Sequence, residues 1–135
     1  MEEDENKYWT VQYDGNILSF TDYRTNFDIS NKEIGNYFKT KKEAEEYLED
    51  LKVKTKIKDI AKELNGYKEI NWHDCSQDKY FLIYNYDDSE ALNAKYNHEC
   101  AWKLEGTTHC LDKNFADECI KRIGIERLEN YLKRR

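Results

Sequence analysis

The sequence predicts an α+β protein built from two repeated strand–strand–helix units, with antiparallel sheet and one long helix. Three observations predict it: aromatic and β-branched runs that end in turn residues, apolar residues at helical spacing behind capping residues, and an internal similarity at a constant offset. We expect residues 7–135 to form a single compact domain of two similar units, 7–66 and 79–135, joined by a connector, 67–78. The acidic residues 1–6 are expected to be a disordered end.

The first unit opens with a predicted β-hairpin. Residues 7–13 are rich in Tyr, Trp, Thr and Val, which suit a half-buried strand. Asp14-Gly15-Asn16 is a turn signal, and residues 17–20 can return as the second strand. The polar residues 22–31 are predicted to be a loop.

One long helix is predicted from residue 41 to residue 64, and a break near 53–55 stays open because residues 52–58 alternate like a strand. Thr40 and Glu43 match a capping box, in which each side chain bonds the backbone amide of the other residue. Apolar side chains then share one helical face at Ala44, Tyr47, Leu48 and Leu51. Asn65-Gly66 is a stop signal.

The second unit is predicted to repeat this order. A strand over 79–86 precedes a turn at Asp87-Asp88-Ser89, and a second strand over 96–104 places Tyr96, His98, Cys100 and Trp102 on one face. Asp112 is predicted to cap a helix that turns Ala116, Cys119, Ile120 and Ile123 inward. Gly124 should end it, and residues 125–133 should form a short helix with Leu128 and Leu132 buried.

An offset of 72 residues relates the two units without a gap. It places residues 7–11 on 79–83, Phe38 on Cys110, and Tyr47 on Cys119. Because Cys110 and Cys119 take the places of presumed core aromatics, we expect both thiols to pack in the interior.

Composition restricts the class of function. The net charge of −6 disfavours direct nucleic-acid binding, which normally needs a basic stripe, and no apolar run is long enough to cross a membrane. The acidic start, Met1-Glu2-Glu3-Asp4-Glu5, is the reverse of a cationic signal segment, so we expect a cytosolic protein with reduced cysteines.

Metal binding and thiol catalysis are the chemical alternatives. Candidate zinc ligands are His73, Cys75, His98 and Cys100, because His-x-Cys on a strand presents both ligands on one side. Their spacing matches no standard zinc motif, so packing is the favoured interpretation and no cofactor is expected. A Cys–His nucleophile also needs a third orienting group, which the pattern does not supply, and we expect no enzyme activity.

Residues 33–52, which include Gly35-Asn36-Tyr37-Phe38-Lys39-Thr40, resemble a module of small acidic proteins from phages and prophages of low-GC Gram-positive bacteria. Those proteins open with a Tyr-Trp strand, here Tyr8-Trp9, and often end in a shorter copy, here residues 125–132. The Cys-rich second half departs from the pattern, in which an aromatic is usual at position 110. The resemblance implies a phage origin and carries no catalytic residues.

The favoured function is a non-enzymatic binding protein that blocks a host protein, for example a defence nuclease such as a CRISPR effector, as an anti-CRISPR protein does. Two alternatives stay open: a nucleotide-signal-binding protein, suggested by the surplus of Tyr and Trp that can stack on bases, and a structural or accessory phage protein. Loops on a rigid scaffold tend to carry recognition. The candidate binding residues therefore lie in 22–31 and 87–93: Asp22, Tyr23, Arg24, Asp28, Asp87, Asp88 and Glu90.

Overall fold

The computed structural model describes residues 6–74, 76–86, 90–96 and 107–134. In this part of the chain the predicted α+β class, with antiparallel sheet, is confirmed. In order, the elements are β1 (Lys7–Val11), β2 (Ile17–Thr21), α1 (Asn26–Glu33), α2 (Lys41–Leu64), β3 (Tyr80–Asn85), β4 (Glu90–Tyr96), α3 (Phe115–Ile123) and α4 (Ile125–Arg134).

The chain divides into two compact units. Unit 1 is Met1–Leu51 and unit 2 is Lys52–Arg135, so the boundary falls within α2. The stretch predicted as a connector, 67–78, follows this boundary and belongs to unit 2.

Unit 1 begins with the hairpin that the sequence predicts. β1 and β2 pair antiparallel, with Tyr8 opposite Phe20 and Thr10 opposite Leu18. In the turn, the Asn16 amide donates to Asp14 Oδ1 at 3.0 Å, and Gly15 takes the positive φ of +84° that such a tight turn requires. The predicted turn and return strand are therefore confirmed.

The free edge of β1 is covered by the chain that leads into α2. Trp9 and Phe38 exchange two backbone hydrogen bonds, of 2.7 and 2.9 Å. Two residues earlier, the Asn36 side-chain amide accepts from the Val11 amide at 2.7 Å and donates to the Val11 carbonyl at 2.9 Å. The Asn36 side chain thus acts in place of a neighbouring peptide group and satisfies the backbone hydrogen-bonding groups of Val11 at the end of the strand.

The prediction of a loop over residues 22–31 is wrong, because residues 26–33 form α1. Its N-cap is Thr25, whose hydroxyl accepts from the Asp28 amide at 3.2 Å while the Asp28 carboxylate accepts from the Thr25 amide at 3.2 Å. This capping box starts a helix that has no apolar stripe, since the residue it buries is Asp28. Hydrophobic periodicity could not reveal it.

α2 starts where the sequence predicts, and its buried face differs from the prediction. The Glu43 amide donates to Thr40 Oγ1 at 3.2 Å, which confirms that half of the predicted cap. Of the apolar positions expected to pack together, Ala44 is buried, whereas Tyr47 and Leu51 are 37% and 39% exposed. In this part of α2 the helical spacing of apolar residues therefore does not identify the buried side chains. The fully packed positions lie later in α2, in unit 2: Val53, Ile57, Ile60 and Ala61.

Unit 2 contains a second antiparallel hairpin. β3 and β4 pair with Tyr80 opposite Tyr96 and Leu82 opposite Ala94. The second strand was predicted to begin at residue 96, but β4 ends there, so residues 90–93 are strand and not loop. An irregularity in the ladder between Ile83 and Asn85 allows the earlier pairing. The predicted turn at 87–89, and the strand positions from 97 to 104, lie outside the described residues.

The start of α3 also differs from the prediction. Asp112 Oδ1 accepts from the Asn114 amide at 2.8 Å, which closes a turn, and the helix begins at Phe115 with Asn114 as its N-cap residue. Asp112 is therefore not the cap, because its carboxylate is used two residues along the chain and not by the first helical amides.

The core of unit 2 agrees with the predicted inward positions. Ala116, Cys119 and Ile123 of α3 are buried, as are Leu128 and Leu132 of α4, and Ile120 packs against them. Gly124 separates the helices with a φ of +98°, a conformation that side-chain-bearing residues rarely adopt. The helix break and the two buried leucines are confirmed.

Candidate functional site

The candidate binding residues before α1 are partly used within unit 1. Asp22 Oδ1 accepts from the Arg24 amide at 2.8 Å, and Asp22 Oδ2 accepts from the Tyr37 hydroxyl at 2.7 Å. Tyr23 and Arg24 are exposed, and Arg24 has a φ of +58°. Of this group, Tyr23 and Arg24 are therefore the side chains that the surface presents.

Asp28 is buried, which removes it from the surface. Its carboxylate accepts from the Tyr8 hydroxyl, from the Tyr23 amide at 2.9 Å and from the Thr25 hydroxyl at 2.9 Å. The Tyr8 hydroxyl and these further donors outweigh burial and hold the pKa of Asp28 at about 2. Burial and the bond to Asp28 raise the pKa of Tyr8 to about 12. This pair holds α1 against β1. The Thr25-x-x-Asp28 spacing is the sequence signal that could have revealed the start of α1.

The other predicted site residues contribute little to a described site. Glu90 is the first residue of β4 and not a loop residue, while Asp87 and Asp88 lie outside the described residues. Among the zinc candidates, His73 is exposed in a turn, and Cys75, His98 and Cys100 lie outside the described residues. Within the part of the chain that the structure describes, no three His, Cys, Asp or Glu side chains are grouped to hold a metal ion.

Cys110 and Cys119 are interior residues, as the sequence predicts. Both are fully buried in the unit 2 core, and the Cys110 thiol lies 3.4 Å from Asn65 Oδ1, to which it donates. Burial raises the pKa of both thiols, that of Cys119 to about 12. Both are therefore protonated at neutral pH and poorly suited to nucleophilic attack.

An apolar row crosses unit 1 from the hairpin to α1. We define it as Leu18, Phe20, Phe27 and Ile34. Leu18 and Phe20 share one face of β2, and the rings of Phe20 and Phe27 meet edge-on with centroids 5.0 Å apart. Ile34, the C-cap residue of α1, comes seven residues after Phe27. Leu18, Phe27 and Ile34 are 47%, 52% and 71% exposed.

Unit 1 exposes other large apolar side chains as well. Tyr23 just before α1 and Ile29 within it are exposed, and so is Tyr13 near the hairpin turn. Isolated exposed apolar residues are normal, but a row of them on so small a unit is typical of an interaction surface. Sequence patterning missed the row because α1 was predicted to be a loop.

The formal charge is divided unequally between the units. Residues up to Leu51 contain 13 acidic and 6 basic residues, whereas the remainder contains 15 acidic and 16 basic residues. Unit 1 thus carries −7 and unit 2 carries +1, so the acidity of the protein belongs entirely to the unit that exposes the apolar row.

Among the described residues, no helix is both long enough and apolar enough to span a bilayer.

Comparison of the chain with protein-family models, with curated proteins and with solved structures finds no match.

Proposed function

We propose that the protein is a non-enzymatic binding protein that occupies a basic surface of a partner protein through the apolar row of unit 1. The observation that carries the proposal is the exposure of Leu18, Phe27 and Ile34 in a unit with a net charge of −7. An apolar centre within a charged surround is the usual anatomy of a protein interface.

The two features have separate physical roles. Burying an exposed Phe or Ile side chain fully contributes about 1.5–3 kcal/mol, so Phe27 and Ile34 are the expected centres of affinity. The acidic residues of unit 1 guide the approach to a positive surface and disfavour acidic partners. Stability of the complex should therefore depend on the row, and the rate of association should depend on salt.

The partner we propose is a nucleic-acid-processing protein of a bacterial host, such as a defence nuclease of the CRISPR type. Such proteins hold nucleic acid on basic surfaces, which an acidic unit can occupy. The resemblance of residues 33–52 to phage and prophage proteins supports this class of partner, and we place the protein in the host cytosol.

We also propose that residues 7–66 and 79–135 arose by duplication. In support, Trp9 bridges Phe38 in unit 1 and Tyr80 bridges Cys110 in unit 2, each through two backbone hydrogen bonds. Phe38 and Cys110 are equivalent at the offset of 72 residues, whereas Trp9 corresponds to Phe81, the neighbour of Tyr80. Each bridge ties the first strand of a hairpin to the chain that leads into a helix.

Affinity capture with the full-length protein tests the proposed binding. The variant Phe27→Asp/Ile34→Asp disrupts the row, and Tyr67→Asp/Ile125→Asp is the matched control, since it replaces an exposed aromatic and an exposed isoleucine of unit 2. Wild type and control should recover one host protein in stoichiometric amount at about 0.15 M salt, and the yield should fall as salt rises toward about 1 M. The row variant should recover at most about a tenth as much.

Two results would count against this function. One is recovery of the same partner by the row variant at the wild-type level. The other is a wild-type dimer, seen by light scattering, that the row variant abolishes, because the row would then join copies of this chain as a structural component.

A further inference from the structure

Unit 2 contains an open cleft of about 600 Å³. Its walls are the C-terminal half of α2, residues 68–72 and residues 107–109. This volume is in the range of small-molecule sites, and all of its lining belongs to unit 2.

Three lysines give one side of the cleft a positive character. Lys58 and Lys62 are one turn apart on α2 and therefore lie on the same side of the helix, and Lys68 follows the end of the helix. The carboxylates of Asp59 and Glu69 also line the cleft. No ion pair within 4.0 Å involves any of the three lysines in the described part of the chain, so their ammonium groups can bind a ligand.

Trp72 lines the same cleft and is held in place by neighbouring side chains. Its ring meets the buried His109 imidazole edge-on, with centroids 4.9 Å apart, and His109 in turn contacts Phe81. The buried Lys79 ammonium lies 5.8 Å from the indole centroid and donates to the carbonyls of Asp74 and Gln77 at 3.0 and 2.9 Å. An indole fixed in this way loses little entropy when a ligand stacks on it.

We propose that this cleft binds a nucleotide, with its phosphates on Lys58, Lys62 and Lys68 and its base against Trp72. Ammonium groups recognise phosphate as point charges, and an aromatic ring stacks on any base. Apart from the buried His109, Trp72 is the one aromatic ring among the described lining residues, so the cleft offers a stacking surface for a single base, and we assign it a free nucleotide and not an RNA. This small-molecule site is additional to the protein-binding surface of unit 1.

Titration of the full-length protein with the four ribonucleoside 5′-triphosphates, by calorimetry, tests the site. At least one should bind saturably. Its affinity should fall about tenfold in Lys58→Gln/Lys62→Gln and change less than about twofold in Lys52→Gln/Lys56→Gln, which removes the same charge at the same spacing on α2 outside the cleft. Quenching of tryptophan fluorescence by the ligand should largely disappear in Trp72→Phe.

Four outcomes would overturn the proposal. The first is that no triphosphate binds saturably, and the second is that both lysine pairs lose affinity equally. The third is that inorganic pyrophosphate binds as tightly as the nucleotide, and the fourth is that an RNA oligonucleotide binds more tightly than the nucleotide. An equal loss of affinity in both lysine pairs would indicate general charge attraction. Equally tight binding of pyrophosphate would show that Trp72 does not stack on the base. Tighter binding of RNA would show that the cleft is not a small-molecule site.

Discussion

Asp28 is a buried carboxylate whose hydrogen-bond donors all come from unit 1: the hydroxyls of Tyr8 and Thr25 and the amides of Tyr23 and Thr25. It joins the N-terminus of α1 to β1 in one contact, with the Tyr8 ring stacked on Tyr37 at a centroid distance of 4.3 Å. From the sequence alone, an Asp in a polar stretch is expected to be exposed to solvent. Its role depends on Tyr8, 20 residues earlier, a distance that no local pattern spans.

Replacing Asp28 by Asn should destabilise the protein in a pH-dependent way. The folded-state pKa of Asp28, about 2, is below the ordinary value of 3.8, so its contribution to stability is complete above about pH 4 and is lost as pH falls toward 2. The difference between wild type and Asp28→Asn in urea midpoint should therefore be widest near neutral pH and narrow between pH 4 and 2. Glu33→Gln, an exposed change on the same helix, should show no such narrowing. A difference in urea midpoint between wild type and Asp28→Asn that stays constant down to pH 2 would contradict the assigned role of the carboxylate.

At the element scale, the sequence predicts secondary structure best where the apolar periodicity agrees with the position of turn and helix-stop residues. The hairpin of unit 1, the helix break at Gly124 and the inward faces of α3 and α4 all combine periodic apolar residues with a turn or stop residue. α1 was missed because its single buried residue is an Asp, and the extent of β4 was missed because the turn before it could not be positioned from sequence. Cys110 was placed correctly through its alignment with Phe38, and Cys119 through the helical spacing of α3 as well as its alignment with Tyr47. The apolar row and the nucleotide cleft both required tertiary structure, since each joins residues from separate elements.

Thr25 should be as important to α1 as Asp28. Thr25→Ala removes the hydroxyl that accepts from the Asp28 amide and donates to the Asp28 carboxylate, and it should lower the free energy of unfolding by about 1 kcal/mol. Thr25→Ser keeps both hydrogen bonds and should retain most of the wild-type stability. Urea denaturation monitored by circular dichroism measures both variants. Equal losses in the Ala and Ser variants would show that the cap does not hold α1.

The whole molecule places different surface chemistry in its two units. Unit 1 has a net charge of −7 and exposes the apolar row, while unit 2 is nearly neutral and contains the lysine-lined cleft. The net charge of −6 is evident from the sequence, but its division is not, because the boundary falls within the continuous helix α2. This division is the basis for assigning a protein partner to one unit and a small anionic ligand to the other.

Site-specific photo-cross-linking in host cells is the most direct test of the partner-binding surface. A photoreactive phenylalanine analogue replaces Phe27 in one version of the full-length protein and Tyr67, a more exposed aromatic position of unit 2, in another. We predict one dominant cross-linked host protein from position 27 and little or none of it from position 67. The same product in equal yield from both positions, or no product from position 27, would contradict binding through the apolar row.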